Sequence, residues 1–247
     1  RITPDQVIKI IECLKCKSSY GIDKISNKLL KQIKYEVSEP IALIINQSIS
    51  KGIFPDKLKI AKVTPLHKSG DTHLLDNYRP VSVLPSISKF FEKHLFNQIY
   101  DYFKENNLLH QSQYGFRSNH STELAAIEFI DKVTREMDKG KLPISIFLDF
   151  SKAFDTIDHK ILINKLEHSG IREMSLKLIK DYFTNRVQYV SYENIDSDTL
   201  SIKTGVPQGS ILGPLFFIIY VNDLSTVSRH FHTIMYADDS TLMTTLN

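Results

Sequence analysis

The chain has 247 residues, 42% of them hydrophobic and 24% charged, which excludes a disordered polymer and allows one large core or two smaller ones. With 31 basic and 28 acidic residues the net charge is +3, permitting a polyanionic partner without requiring one. The two cysteines, Cys13 and Cys16, make half a zinc site at most, and no apolar run reaches the ~20 residues of a membrane span.

Sparse cysteines fit an intracellular setting, nuclear or cytoplasmic, with no membrane attachment. Arg1 in place of Met, and an end soon after a polar motif, are expected of a segment cut from a longer polypeptide.

Apolar residues at Val7, Ile8, Ile11 and Leu14 predict a first helix, followed by a break around Gly21. Leu29, Leu30, Ile33 and Val37 predict another, and Ile41 to Ile49 continue the pattern into Gly52. Lys59 to Lys68 reads as an extended basic segment ending in the turn Ser69-Gly70-Asp71, and Tyr78 to Leu84 as a second extended segment. Helices are predicted over 88–103, with Ser88 as N-cap, and over 121–137, with Leu124, Ile127, Ile130 and Val133 along one side. The run Ile144 to Leu148 predicts a central strand buried on both faces, with Asp149 at its C-terminal end. Helices then follow at about 159–168 and 173–185, and a hairpin from Val187 to Lys203 turns around Asn194 to Ser197. The glycine-rich turn Gly205 to Ser210 feeds a helix over about 211–222. Two short strands flank Ala237-Asp238-Asp239-Ser240, with paired aspartates at the tip.

Aspartate is common at turns and strand ends for local hydrogen-bonding reasons, so none of these acids is informative alone. Taken together they fit a chemistry. Transfer of a nucleotidyl group puts charge on the attacking and leaving oxygens at once, and two Mg²⁺ ions can stabilise both. Mg²⁺ is usually held by one or two carboxylates plus phosphates and water, so a few aspartates on adjacent rigid elements suffice. Whether Asp149 and the Asp238-Asp239 pair meet depends on their strands being neighbours.

Tyr236-Ala237-Asp238-Asp239 resembles the Y-x-D-D box of reverse transcriptases, and Phe147-Leu148-Asp149 through Phe154-Asp155 resembles their other catalytic-aspartate motif. Gly205-Val206-Pro207-Gln208-Gly209-Ser210 resembles the motif between the two. Lys68 to Asp71, Asn77 to Ser82 and Gln113-Tyr114-Gly115-Phe116-Arg117 resemble the fingers motifs of LINE-type, non-long-terminal-repeat retrotransposon enzymes. The likeness covers roughly residues 20–245.

The resemblance implies an α+β right-hand polymerase with an antiparallel palm sheet packed on helices. Residues 1–55 would be a helical extension, 56–142 fingers and 143–247 palm, cut before a thumb. It implies an RNA-directed DNA polymerase that uses an RNA template, a DNA primer and dNTPs, with two Mg²⁺ ions or Mn²⁺ in their place. Asp149 and Asp238 would be the principal metal ligands and Asp239 a supporting third acid. Phe154 would exclude ribonucleotides by filling the volume of the 2′-hydroxyl, and Gln208 and Gly209 would floor the nucleotide site beside Tyr236. Lys68 and Arg79 would meet the triphosphate, and Tyr114 and Arg117 the template. For each the plainer alternative stands: Phe154 as core, Lys68 as a solvated charge, the glycines as turn formers.

Three rivals remain. An RNA-directed RNA polymerase shares the paired aspartates, but Phe154 and Ala237 tell against it. A decayed or truncated nucleic-acid-binding remnant of a mobile element keeps the same motifs without the activity. A metal-dependent nuclease lacks an evident water-activating base.

Overall fold

The computed structural model describes residues 1–16, 20–193 and 195–246. Helix α1 (Pro4–Cys13) opens where Thr3 and Gln6 cap each other reciprocally and Pro4 supplies a preset φ. Helices α2 (Asn27–Gln32) and α3 (Lys34–Lys51) follow, α3 running through Pro40 and ending at Gly52 in the left-handed conformation. Strands β1 (Ile60–His67) and β2 (Tyr78–Val83) confirm the two extended segments. Lys59, at the head of the basic segment, is turned inward and pairs at 2.9 Å with both Asp56 and Asp181.

Helix α4 (Ser86–Glu105) starts after Pro85, two residues before the expected cap. Ser88 is therefore inside the first turn, buried, its hydroxyl donating to Glu92. Helix α5 (Thr122–Asp138) does begin at a serine cap, the Ser121 hydroxyl accepting from the Leu124 amide. Strand β3 (Leu142–Asp149) precedes α6 (His159–His168), capped by Asp158, and α7 (Glu173–Phe183). Strands β4 (Val187–Tyr192), β5 (Ile195–Asp196) and β6 (Leu200–Ser201) form the expected hairpin region, of which Asn194 lies outside the described residues. Helix α8 (Leu212–Tyr220) and strands β7 (His232–Tyr236) and β8 (Asp239–Leu246) complete the order.

Two sheets result. One runs β2-β1-β4-β5 with β6 also on β4; β1 is antiparallel to β2 and parallel to β4. It draws β1 and β2 from the segment expected as fingers and β4 to β6 from the one expected as palm. The second sheet is antiparallel in the order β3-β8-β7, with α5 packed against it.

The central strand expected at Ile144 to Leu148 is thus an edge strand. Its apolar run gave no information about neighbours, and β8 takes the middle place by pairing on both sides. Ile144, Ile146 and Phe147 are exposed, as are Leu124, Ile127 and Ile130 on α5.

The main core lies under the helices. It is built from α1, α3, α4, α6, α7 and α8, with Phe90, Phe91, Phe103, Tyr182 and Phe216 among its large side chains. Helix α8 is apolar all round and nearly every residue of it is buried, as expected for a helix surrounded by others. Within this core, Glu92 of α4 accepts from the Ile211 amide (2.7 Å) and the Tyr182 hydroxyl (3.0 Å), so a buried carboxylate sits at the N-terminus of α8. Arg186 stacks 4.3 Å over the Tyr182 ring beside it.

Candidate active site

The acids expected to act together come from adjacent strands. The β3–β8 register places Asp149 opposite Asp239, and the β7–β8 register places Tyr236 opposite Asp239. Ala237 and Asp238 form the two-residue turn between β7 and β8. Asp149 and Asp239 are exposed and Asp238 half-buried, and among the described residues none of the three is in an ion pair.

Ala237 has φ of 56°, a left-handed conformation that costs a residue with a Cβ about 1 kcal/mol. The turn is braced from behind by the Gln113 to Phe116 loop. The Tyr114 amide donates to the Met235 carbonyl (2.7 Å), and the Met235 amide donates to Ser112 (2.8 Å). The wholly buried Gln113 side chain accepts from the amides of both Gly115 (2.7 Å) and Ala237 (3.1 Å). A Cβ on Gly115 would stand 2.1 Å from the Ala237 nitrogen, so only glycine lets the loop approach so closely.

Gln113 and Gly115 were not singled out for this role from sequence. The available signal was an alanine in a tight hairpin turn, which needs outside support.

Of the residues expected at the template, Tyr114 donates its hydroxyl to Glu128, which also meets His232 at 2.8 Å. Arg117 donates through Nη1 to the carbonyls of His110 (2.7 Å) and Gln113 (3.1 Å). Both side chains therefore help hold the loop that braces the turn.

The steric-gate candidate Phe154 is half-buried between two ring neighbours, Phe116 at 6.2 Å and Phe217 at 5.0 Å. Its carbonyl accepts from the Val206 amide, and the Ile157 carbonyl accepts from Gly205, both at 2.8 Å. His159 adds a 2.7 Å bond to the Gly205 carbonyl. The segment after Asp149 is thus fastened to the glycine-rich turn.

Gln208 is fixed at two points. Its carbonyl accepts from the Ser82 amide of β2 (2.7 Å), and its side-chain nitrogen lies 3.0 Å from each Asp155 oxygen. Gly209, at φ 118°, lies so close to β2 that a Cβ there would stand 2.8 Å from the Ser82 carbonyl oxygen. Lys68 and Arg79 share one end of the β1–β2 ladder; both are exposed, and neither is in an ion pair among the described residues.

Among the described residues no three His, Cys, Asp or Glu side chains are gathered closely enough to hold a metal ion, Asp149, Asp238 and Asp239 included; Cys13 and Cys16 are exposed and free. No described helix is long and apolar enough to cross a membrane.

This geometry can be set beside known proteins. Residues 66–247 match the family described as reverse transcriptase (RNA-dependent DNA polymerase). The chain belongs to the reverse transcriptase family. It is 28% identical over 98% of its length to the RNA-directed DNA polymerase of mobile element jockey from Drosophila melanogaster, covering 27% of that protein. It is 30% identical over 90% of its length to the jockey enzyme of Drosophila funebris, covering 24% of it. The chain therefore spans about a quarter of these curated relatives. In fold it is similar to apo telomerase from Candida tropicalis, with TM-score 0.51 and 16% identity, over 85% of this chain and 49% of that one.

Proposed function

We propose that the chain is the fingers and palm of a LINE-type RNA-directed DNA polymerase, which adds dNTPs to a primer 3′-hydroxyl on an RNA template. Residues 1–55 form a helical extension, 56–142 the fingers and 143–247 the palm, with β4 to β6 extending the fingers sheet. The observation that carries this reading is the placement of Asp149 opposite Asp239, one residue from Asp238, on a braced turn.

The donor set fits Mg²⁺. It offers hard carboxylate oxygens on neighbouring strands without a closed protein cage, leaving coordination positions for phosphates and water. When bound, two such ions stabilise the charge on the attacking and leaving oxygens, and Mn²⁺ can replace them. Asp149 and Asp238 are the principal ligands in this proposal, and Asp239 supports them.

The other residues position the substrates. Lys68 offers a point charge and Arg79 a two-pronged donor to the triphosphate. Phe154, held between Phe116 and Phe217, fills the space a 2′-hydroxyl needs. Gln208, Gly209 and Tyr236 floor the nucleotide site. Tyr114 meets the template with its ring face, and Arg117 with the guanidinium nitrogens not spent on His110 and Gln113.

The test is Mg²⁺-dependent dNTP incorporation by the full-length protein on a primed RNA template, beside its Asp238→Asn variant. Incorporation that vanishes in the variant supports the reading. A folded parent that binds RNA and incorporates nothing overturns it in favour of a nucleic-acid-binding remnant.

A further inference from the structure

We infer that Asp155 is a positioning residue, one that fixes which end of the Gln208 side-chain amide faces the nucleic acid. The inference rests on the polymerase reading and deepens it.

An amide side chain has a donor end and an acceptor end of nearly the same shape, so a glutamine in a binding groove is ambiguous until something orients it. A carboxylate removes the ambiguity, because it accepts only. The Gln208 nitrogen lies 3.0 Å from both Oδ1 and Oδ2 of Asp155, which commits the donor end to Asp155. The Gln208 backbone cannot turn to compensate, since its carbonyl is held by the Ser82 amide at 2.7 Å. Nor can Asp155 withdraw easily. A Cβ on Gly205 would come within 2.6 Å of the Asp155 carbonyl oxygen, which shows how closely the two segments are pressed together.

Asp155 and Gln208 line a cavity of about 310 Å³ together with Pro80, Ser82, Gln188 and Lys203. With its nitrogen engaged by the two Asp155 oxygens, Gln208 keeps one N–H and, as its acceptor end, the carbonyl oxygen Oε1. That atom repels phosphate oxygens, which are acceptors, and suits a sugar hydroxyl. The hydroxyl can come from the incoming nucleotide (3′) or from an RNA template (2′).

The experiment measures steady-state incorporation by the full-length protein and by its Asp155→Asn, Gln208→Leu and doubly substituted forms. Each is assayed with dNTP against the 3′-deoxy analogue, and on RNA against DNA templates of one sequence. Asn at 155 can pair with either end of the Gln208 amide, so the expected result is a KM increase of about tenfold with kcat nearly unchanged. The double variant should match Gln208→Leu alone, since Asp155 acts only through that side chain.

A discrimination ratio falling several-fold against the 3′-deoxy analogue identifies the nucleotide hydroxyl as the ligand; a fall in the RNA-to-DNA ratio identifies the template's. Additive effects of the two substitutions overturn the proposal, and so does Asp155→Asn indistinguishable from the parent. A parent without Asp238-dependent incorporation overturns the polymerase reading itself, and this inference with it.

Discussion

Asp149 on β3 and Asp239 on β8 are direct partners across an antiparallel ladder, two carboxylates of which neither is in an ion pair among the described residues. Like charges so placed destabilise a sheet, by roughly 0.2–1 kcal/mol for an exposed pair. Without metal, Asp239→Asn should therefore raise the melting temperature slightly, while the parent should gain more from added Mg²⁺ than the variant does. Thermal melts of both proteins with and without Mg²⁺ check this. Equal metal responses would remove Asp239 from the site.

The braced turn makes a second prediction. Gly115→Ala places a methyl 2.1 Å from the Ala237 nitrogen, so the turn must shift. Incorporation should fall by two orders of magnitude or more, on the scale that misplaced catalytic groups cost. Ala237→Gly should keep the fold and relieve up to about 1 kcal/mol of left-handed strain, offset in part by the entropy of glycine. A Gly115→Ala protein of parental activity would show that the loop does not brace the acids.

For Phe154 the expected outcome is a change of substrate selection. Phe154→Val empties volume beside Phe116 and Phe217, so ribonucleotide incorporation should rise relative to deoxyribonucleotide incorporation by tenfold or more. Stability should fall by about 1–3 kcal/mol, since the ring contacts with Phe116 and Phe217 are lost but the residue is only half-buried and valine keeps part of the apolar volume. Competition assays with paired dNTP and rNTP read the first effect and urea unfolding the second. Unaltered selection would leave Phe154 as core alone.

Glu92 makes stability depend on pH. Burial is the dominant influence and pushes its carboxyl above the ordinary 4.5, against the downward pull of nearby Arg186 and the Ile211 amide. The folded state therefore holds the Glu92 proton more tightly than the unfolded chain does. Stability should then fall as pH rises from about 4.5 through the folded value, and stay lower above it. Glu92→Gln removes this dependence, so its stability relative to the parent should grow with pH across the same window. Urea midpoints at pH 5 and pH 8 decide the matter: curves that remain parallel would refute it.

Much of this site was legible because its signals are local. The turn around Asp238, the strand ending in Asp149 and the glycine-rich turn are each specified within a few residues. What needed the fold was anything set by pairing between distant strands. The run Ile144 to Leu148 announced a strand but not its neighbours, so a central place was expected where an edge is found. The opposition of Asp149 and Asp239 is a matter of register, which no single segment carries. Gln113 reaches Ala237 across 124 positions, and Lys59, read as part of an extended basic segment, turns inward to an aspartate 122 positions away. In each case the partner that decides the side chain's role is remote in sequence.

The parallel pairing of β1 with β4 also governs how the molecule can be made. Ile60 is the partner of Val187, so the sheet containing β1 and β2 cannot close until the chain has been extended by 127 residues, the distance from position 60 to position 187. At ~5–20 residues per second of synthesis that is a wait of roughly 6–25 s. During it the β1–β2 hairpin stands with the β1 edge unpaired, while helices α4 to α7 are translated in between. The closing of this sheet is therefore expected late in synthesis. Slowing translation before residue 187 should lengthen the time for which nascent chains stay sensitive to protease around residues 60–83.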